Sequence, residues 1–411
     1  MMVGVVVVGG SYIEECSFPR SVVYRGSGMR AASVLAGLGN ATTLNTVAGP
    51  VLSDEFSEIC RRKGIVRQTS KSGSDIWFRY RHPLSKPDIY PALSPSMPDR
   101  VPINAECVLV FGMIEGRPQV KAKRVIYDPQ DGYRAKHFAV NGSTADELVV
   151  LASLSEGRAL TGKTSADEIA TELLTQPSCV ATVIKCGPHG ALVATAEMRK
   201  WVSAFPSSRV WKIGSGDVFS AAFAHKWFVE GASALEAAWF ASRMVAEYVS
   251  TRMEVFKDDR LEVIRAEANK AASRPANQAV SLPDATVYLA GPFFTTAQQW
   301  LVDEARFALR DLGFKVFSPI HEVGEGTPYE VAPADLYGLE NSQLVFALVD
   351  GLDAGTIFEI GYARSRDIPV VCLAESVDPK ALTMLLGSGC EVQDDFSTSI
   401  YAACWQLMSY V

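Results

Sequence analysis

The sequence lacks several features that would narrow its role at once. None of its eight cysteines forms a CxxC pair, and its five histidines show no metal-ligand spacing against them. That excludes a zinc module or a disulfide scaffold and points to reduced thiols in the cytoplasm. There is no basic run and no Arg-rich helix, and 39 basic residues face 46 acidic ones for a net charge of −7. Nucleic-acid binding through phosphate neutralisation is therefore disfavoured. No window holds ~18 uncharged apolar residues, so no segment is expected to span a membrane. The apolar start MMVGVVVVGG has no basic flank and runs into glycines. It reads as a buried first strand and not as a targeting segment.

What is present is a long globular chain of 411 residues, 48% apolar and 21% charged. That length suggests more than one core. From residue 3 to about 255, short apolar runs such as VGVVVV (3–8), ECVLVFG (106–112) and ATVIKCG (181–187) alternate with helix-periodic stretches such as 30–39, 165–176 and 234–250. The pattern predicts a mostly parallel sheet covered by helices. Residues 66–102 break it and predict a small β lid or edge flap followed by a loop. The chain is charged and then Ala/Ser/Pro-rich over 257–284, after which strand and helix alternate again. This predicts domains over 1–270 and 285–411 joined by a linker over 271–284.

Two stretches carry chemistry. In KIGSGDVFSAAF (212–223), Gly214, Ser215 and Gly216 precede Asp217 and an apolar helix. A glycine turn leaves the first helical N–H groups open to a phosphate, and an Asp there can take a proton from an attacking hydroxyl. On the tetrapeptide alone, an ordinary N-cap Asp explains it as well. In DGLDAGTIFEIGYA (350–363), Asp350, Asp353 and Glu359 fall in one short stretch with Glu359 between Phe358 and Ile360. Placed at a strand end, all three can reach one crevice, and two carboxylates at a small site suit cleavage of a glycosidic bond. The other reading has Asp353 capping the helix and Glu359 paired with Arg364 or Arg366. The stretch 321–338 is read as a mobile polar loop able to cover the crevice.

The first stretch, together with RGSGMRAASVLAGLGNATTLNTVAGPVLSDEF (25–56), VIYDPQDGYR (125–134), SLSEGRALTG (153–162) and VIKCGPHGALV (183–193), resembles the ribokinase/PfkB family of sugar and nucleoside kinases. The resemblance covers roughly residues 3–255. It implies a three-layer α/β/α domain with a small β lid, and ATP with Mg²⁺ as cofactors. Asp217 would be the catalytic base, and Gly214, Ser215 and Gly216 the anion hole. Lys185, Gly187 and Gly190 would lie near the nucleotide, and Glu156 would organise the Mg²⁺ and its waters, with no metal directly ligated. The substrate side departs from the family: Glu14 or Glu15 stands in for the early Asp, Ser153 replaces an Asn, and Arg30 occupies a position usually small or amide. Arg30 would suit an anionic substrate; otherwise it is a solvated helix-start residue.

The second stretch, with YLAGPFFTTAQQW (288–300), FSP (317–319) and ADLYGLENSQLVFALVDG (334–351), resembles nucleoside 2-deoxyribosyltransferases. This implies a flavodoxin-like doubly wound parallel sheet with no cofactor. Glu359 would be the nucleophile, and Asp350 and Asp353 would hold the base or assist proton transfer. Tyr288, Gly291, Phe294 and Gln298 or Gln299 would contact the nucleoside, and Asp335 the sugar. Together the resemblances imply a bifunctional, homo-oligomeric enzyme acting on small nucleosides, nucleotides or sugars. Two alternatives stand beside it: a degenerate kinase unit beside an active glycosidase, and a nucleotide sensor without catalysis.

Overall fold

The computed structural model describes residues 4–91, 102–130, 134–273 and 285–409. The chain divides into two compact units, Met1–Ala279 and Val280–Val411. Most of the expected linker, residues 274–284, lies outside the described residues.

The N-terminal unit contains strands β1 (Val5–Val8), β2 (Ile13–Cys16), β3 (Ser21–Tyr24), β4 (Thr42–Ala48), β5 (Val66–Lys71), β6 (Trp77–Tyr80), β7 (Asp88–Tyr90), β8 (Ile103–Phe111), β9 (Val120–Asp128), β10 (Thr144–Ser153), β11 (Cys179–Lys185), β12 (Ala191–Ala194) and β13 (Arg199–Val202). Its α-helices are α1 (Gly26–Gly37), α2 (Pro50–Lys63), α3 (Leu154–Thr161), α4 (Ala166–Leu173), α5 (Ser215–Ala224), α6 (Ala234–Thr251) and α7 (Asp258–Ala272). Nine strands form one sheet in the order β13-β12-β11-β10-β9-β8-β1-β4-β5. All its pairings are parallel except β11–β12 and β12–β13.

The continuous apolar strands are explained by burial on both faces. Along β8, Cys107, Leu109 and Phe111 enter a core shared with α1, α2, α5 and α6. Val108 and Val110 enter the opposite core, which holds Ile169 and Leu173 of α4. This is the three-layer arrangement expected. The strand order reverses between β1 and β8, so a crevice is expected outside their carboxyl ends.

The lid needs a correction. Residues 66–71 are not part of it: β5 extends the main sheet beside β4. The lid is a separate four-stranded sheet, β3-β2-β6-β7, which joins strands on either side of α1. The loop expected at its end, residues 92–101, lies outside the described residues.

The C-terminal unit has β14 (Thr286–Ala290), β15 (Lys315–Phe317), β16 (Leu344–Leu348), β17 (Val370–Leu373) and β18 (Glu391–Gln393). Its helices are α8 (Thr296–Asp311), α9 (Pro319–Glu322), α10 (Pro328–Glu340), α11 (Ala354–Ser365), α12 (Thr383–Gly387) and α13 (Phe396–Ser409). The sheet is wholly parallel in the order β15-β14-β16-β17-β18, the doubly wound order expected. Its reversal lies between β14 and β16. The stretch read as a mobile loop is largely helical. Thr327 and Glu330 form a capping box with Pro328 in the first turn, which starts α10 despite its glycine-rich approach. No helix among the described residues is long and apolar enough to cross a membrane.

Candidate functional sites

In the N-terminal unit, strand ends and the start of α5 converge on one crevice. Gly214 caps α5 at φ +80°, a conformation that favours glycine. An added Cβ there would lie 2.3 Å from the Arg30 guanidinium, so the turn also needs the missing side chain to accommodate Arg30. Asp217 therefore sits in the first turn and is not the cap. It is buried, and its two oxygens accept from different residues: Oδ2 from Arg30 Nη1 at 2.6 Å and Oδ1 from Gln130 Nε2.

Arg30 is 2% exposed, which rules out the solvated helix-start reading. It also donates to both oxygens of Glu14, at 3.0 Å to Oε1. Glu14 lies on lid strand β2, so Arg30 ties the lid to the candidate base. Burial works against the charged guanidinium, but Glu14 and then other anionic neighbours hold its pKa well above the usual arginine value. Between the two acids offered by the sequence, Glu14 is the one that faces the crevice. Glu15 instead pairs with Arg79 at 3.1 Å on the surface of the lid.

On the other side of α5, Lys185 at the end of β11 donates to Asp128 Oδ2 at 2.6 Å, which also accepts from Ser220 at 2.7 Å. Lys185 Nζ would lie 3.7 Å from a Cβ on Gly216, so its charge stands beside the helix N-terminus. Burial opposes that charge, but the carboxylates of Asp128 and Glu156 outweigh it and raise the Lys185 pKa. Asp128 is fully buried. Burial lifts its carboxyl to about 6 against the pull of Lys185, and its Oδ1 has no hydrogen-bond partner.

Ser215 is buried beside Gly216 in the same turn. Glu156 is less committed to the site than expected. Its Oε2 closes the capping box of α3 by accepting from Ser153 N at 2.7 Å. Gly187 and Gly190 shape the β11–β12 hairpin, where a Cβ on Gly190 would lie 2.0 Å from the Val202 carbonyl oxygen. The sequence reading missed Asp128 and Gln130 as site residues. The available signal for Asp128 was a carboxylate closing an apolar strand.

In the C-terminal unit the crevice at the sheet reversal holds Tyr288, Glu359 and Asp335. Tyr288 is buried on β14, stacks on Phe317 and donates its hydroxyl to Glu359 Oε1 at 2.5 Å. Burial lifts the Glu359 carboxyl to about 7. The Tyr288 hydrogen bond opposes this, and Asp335 and Asp353 add to it. Asp335, carried by α10, is itself raised by burial and keeps a buried Oδ1 with no hydrogen-bond partner.

The arginine alternative for Glu359 does not hold: Arg364 donates to the carbonyls of Ser388 and Ile368, and Arg366 pairs with Glu340 at 2.8 Å. Asp353 does cap α11, accepting from Thr356 N at 2.9 Å. Asp350 is engaged elsewhere, accepting from the backbone N–H groups of Glu375 at 2.9 Å and Ser376 at 2.7 Å. It clamps the loop after β17 instead of joining Glu359 and Tyr288.

Gln298 also serves a cap, accepting from Phe294 N at 2.9 Å and Thr295 N at 3.0 Å. Gln299 donates to the Phe293 carbonyl. Gly291 packs tightly on Leu348, 3.0 Å from where its Cβ would stand, and Phe294 is 71% exposed.

The electrostatics sets a direction for one substitution. Tyr288→Phe removes a hydrogen bond to the charged form of Glu359, so the Glu359 pKa rises further. The acid limb of the C-terminal activity is expected to move to higher pH, read as the apparent pKa of the kcat/KM profile. An unmoved limb contradicts the pairing.

Residues 287–397 match the family described as nucleoside 2-deoxyribosyltransferase, so the C-terminal unit carries a domain of that family. Two groups of solved structures are similar over about two-thirds of the chain. Phosphofructokinase-2 from Escherichia coli in complex with substrates and products is 15% identical, covering 66% of this chain and 100% of that one, with a TM-score of 0.48. A pyrophosphate-dependent kinase in the ribokinase family, complexed with a pyrophosphate analog and myo-inositol, is 18% identical, covering 64% of this chain and 100% of that one, with a TM-score of 0.44. No curated protein sequence matches the chain significantly.

Proposed function

We propose that the protein is a bifunctional enzyme of nucleoside or sugar metabolism. The C-terminal unit breaks an N-glycosidic bond through Glu359, and the N-terminal unit transfers a phosphoryl group to a hydroxyl with Asp217 as base. The observation that carries the reading is the Tyr288–Glu359 hydrogen bond at the reversal of a parallel sheet.

Tyr288 holds Oε1, which leaves Oε2 of the ionised carboxylate to attack the anomeric carbon. As that C–O bond forms, the C–N bond breaks, and its electron pair leaves with the base, which takes up a proton. Water or a second base then adds to the anomeric carbon and loses a proton, and the ester bond breaks to restore the carboxylate. Asp335, with its unpartnered oxygen, is placed to accept from a sugar hydroxyl. The ~7 pKa of Glu359 means that its reactive form accumulates only near and above neutral pH.

In the N-terminal unit the α5 N-terminus and Lys185 offer positive charge to a phosphate. Asp217 accepts a proton from the acceptor hydroxyl once Gln130 or Arg30 releases an oxygen. ATP is the expected donor. A divalent cation bound with it supplies charge neutralisation, and Glu156 with the unpartnered Asp128 Oδ1 fits its water shell.

The test is mass spectrometry of products from a pool of nucleosides and nucleoside monophosphates, with and without ATP and Mg²⁺. Free base is expected in both conditions and ADP only with ATP. Asp217→Asn is expected to abolish ADP formation and leave base release intact. ADP formation that survives this change refutes the base role. Failure to form either product refutes the whole reading.

A further inference from the structure

The two hydrogen bonds on Asp217 are not alike. Arg30 holds Oδ2 from a fixed place: it is buried and also donates to both oxygens of Glu14. Gln130 holds Oδ1 through a neutral amide and is half-buried. The backbone leading to Gln130 is pinned. β9 ends at Asp128, whose side chain is tied to Lys185 and Ser220. Gly112 N donates to the Asp128 carbonyl at 2.8 Å, and an added Cβ on Gly112 would lie 1.6 Å from the Pro129 carbonyl oxygen. Gln130 itself takes φ +47°, a left-handed conformation that is strained for a residue with a side chain. Strain kept at a crevice residue points to a use for it.

A base beside a phosphoryl donor is a hazard while the acceptor is absent. Water is small enough to reach an open carboxylate oxygen and be activated in the acceptor's place. Its oxygen would add to the terminal phosphorus of the donor while its proton passed to Asp217. The bond to the bridging oxygen would break, and its electron pair would leave on ADP. With Arg30 on Oδ2 and Gln130 on Oδ1, both oxygens are occupied in this structure. Gln130 is the exchangeable partner of the two. Withdrawing Arg30 would strand the buried charge of Glu14. An acceptor hydroxyl is a neutral donor like the Gln130 amide, so exchanging one for the other leaves the charge of the site unchanged.

We propose that Gln130 is a placeholder on the base: its amide occupies the position of the acceptor hydroxyl on Asp217 Oδ1, keeps water from being activated there, and yields only to the acceptor. The inference rests on the phosphoryl-transfer reading of this unit and adds to it a control over wasteful ATP hydrolysis. Gln130 acts through Asp217, so it is a positioning residue.

The test is ADP release by the full chain from ATP and Mg²⁺ with no acceptor added. It is run beside the same assay with the nucleoside pool, in which phosphorylated product is counted by mass spectrometry. Gln130→Ala and Gln130→Gly are expected to raise acceptor-free ADP release about tenfold or more. With the pool, the wild type is expected to form ADP and phosphorylated product in equal amounts, and both variants an excess of ADP. Gln130→Gly tolerates the left-handed backbone, which separates loss of the amide from strain. Adding Asp217→Asn to either variant is expected to remove the gain. A structural role for Gln130 predicts loss and not gain, so acceptor-free release that stays level or falls in both variants overturns the inference and leaves the kinase reading standing. A gain that survives Asp217→Asn also overturns it, since hydrolysis then bypasses the base, and so does failure of both variants to fold. If the wild type forms no ADP even with the pool, the phosphoryl-transfer reading falls and the inference falls with it.

Discussion

Glu359→Gln is expected to slow base release roughly a thousandfold or more while making the C-terminal unit more stable above neutral pH. The first effect follows because an amide does not attack an anomeric carbon and leave as a carboxylate. The second follows from linkage. The folded protein holds the Glu359 carboxyl at about 7, against an ordinary value of 4.5. Between those two pH values the folded state binds the proton more tightly than the unfolded chain, so stability from this group declines as pH rises. Gln carries no charge and still accepts the Tyr288 hydroxyl hydrogen. The variant should melt together with the wild type near pH 4.5 and above it at pH 8, by no more than about 3 kcal/mol. Thermal melts at the two pH values, run beside activity, check both halves. Lost activity with lowered stability at pH 8 would mean that Glu359 supports the fold instead of working at strain within it.

The second large effect concerns the buried triad of the N-terminal unit. Arg30→Met keeps most of the side-chain volume but leaves Glu14 and Asp217 facing a site without their shared cation. Removing one partner from a buried ion pair costs about 3–5 kcal/mol, because the remaining charge stays desolvated. Urea unfolding followed at pH 7 is expected to show a loss of that size in the transition of this unit. Adding Glu14→Gln to Arg30→Met should recover part of it. A loss below 1 kcal/mol at pH 7 would mean that Arg30 is far more solvated than its 2% exposure indicates.

Much of the fold was legible because parallel strands buried on both faces produce continuous apolar runs. VGVVVV and ECVLVFG declare themselves in this way: β1 lies inside the first, and the second covers β8 from Glu106 to its end. β10 escaped notice because its first half, TADE, is polar and only its second half enters the core. The lid was placed too late because β2 pairs with β6 across some sixty residues, a non-local contact with no local signature. The α10 stretch looked like a loop because Gly324, Gly326, Pro328 and Pro333 weaken helical periodicity, while a capping box and first-turn proline outweigh them.

Site residues divide in the same way. Glu359 and Asp217 were picked out from short motifs, and Tyr288, Asp335 and Arg30 were named as binding residues, but their pairing with the two acids was not read. Tyr288, Asp335, Arg30 and Gln130 reach them from separate elements, and only the sheet order brings those together. Asp350, Asp353 and Glu359 were all expected to reach one crevice, yet Asp350 clamps a loop, Asp353 caps a helix and Glu359 alone meets Tyr288. Arg30 was open to a solvated reading because helical periodicity becomes visible only from residue 30, but α1 starts at Gly26 and Arg30 lies within its buried run from Gly26 to Leu35.

The most direct measurement of the central claim is a covalent trap. The full chain is incubated with a 2′-fluoro-2′-deoxynucleoside, whose fluorine slows release of the glycosyl-enzyme, and is then digested and sequenced by mass spectrometry. The expected result is a fluorodeoxyribosyl adduct on the peptide containing Glu359, located to that carboxylate, with one equivalent of free base and no adduct in Glu359→Gln. Base release without any adduct, or an adduct on Asp350 or Asp353, would contradict the assignment of Glu359 as the nucleophile.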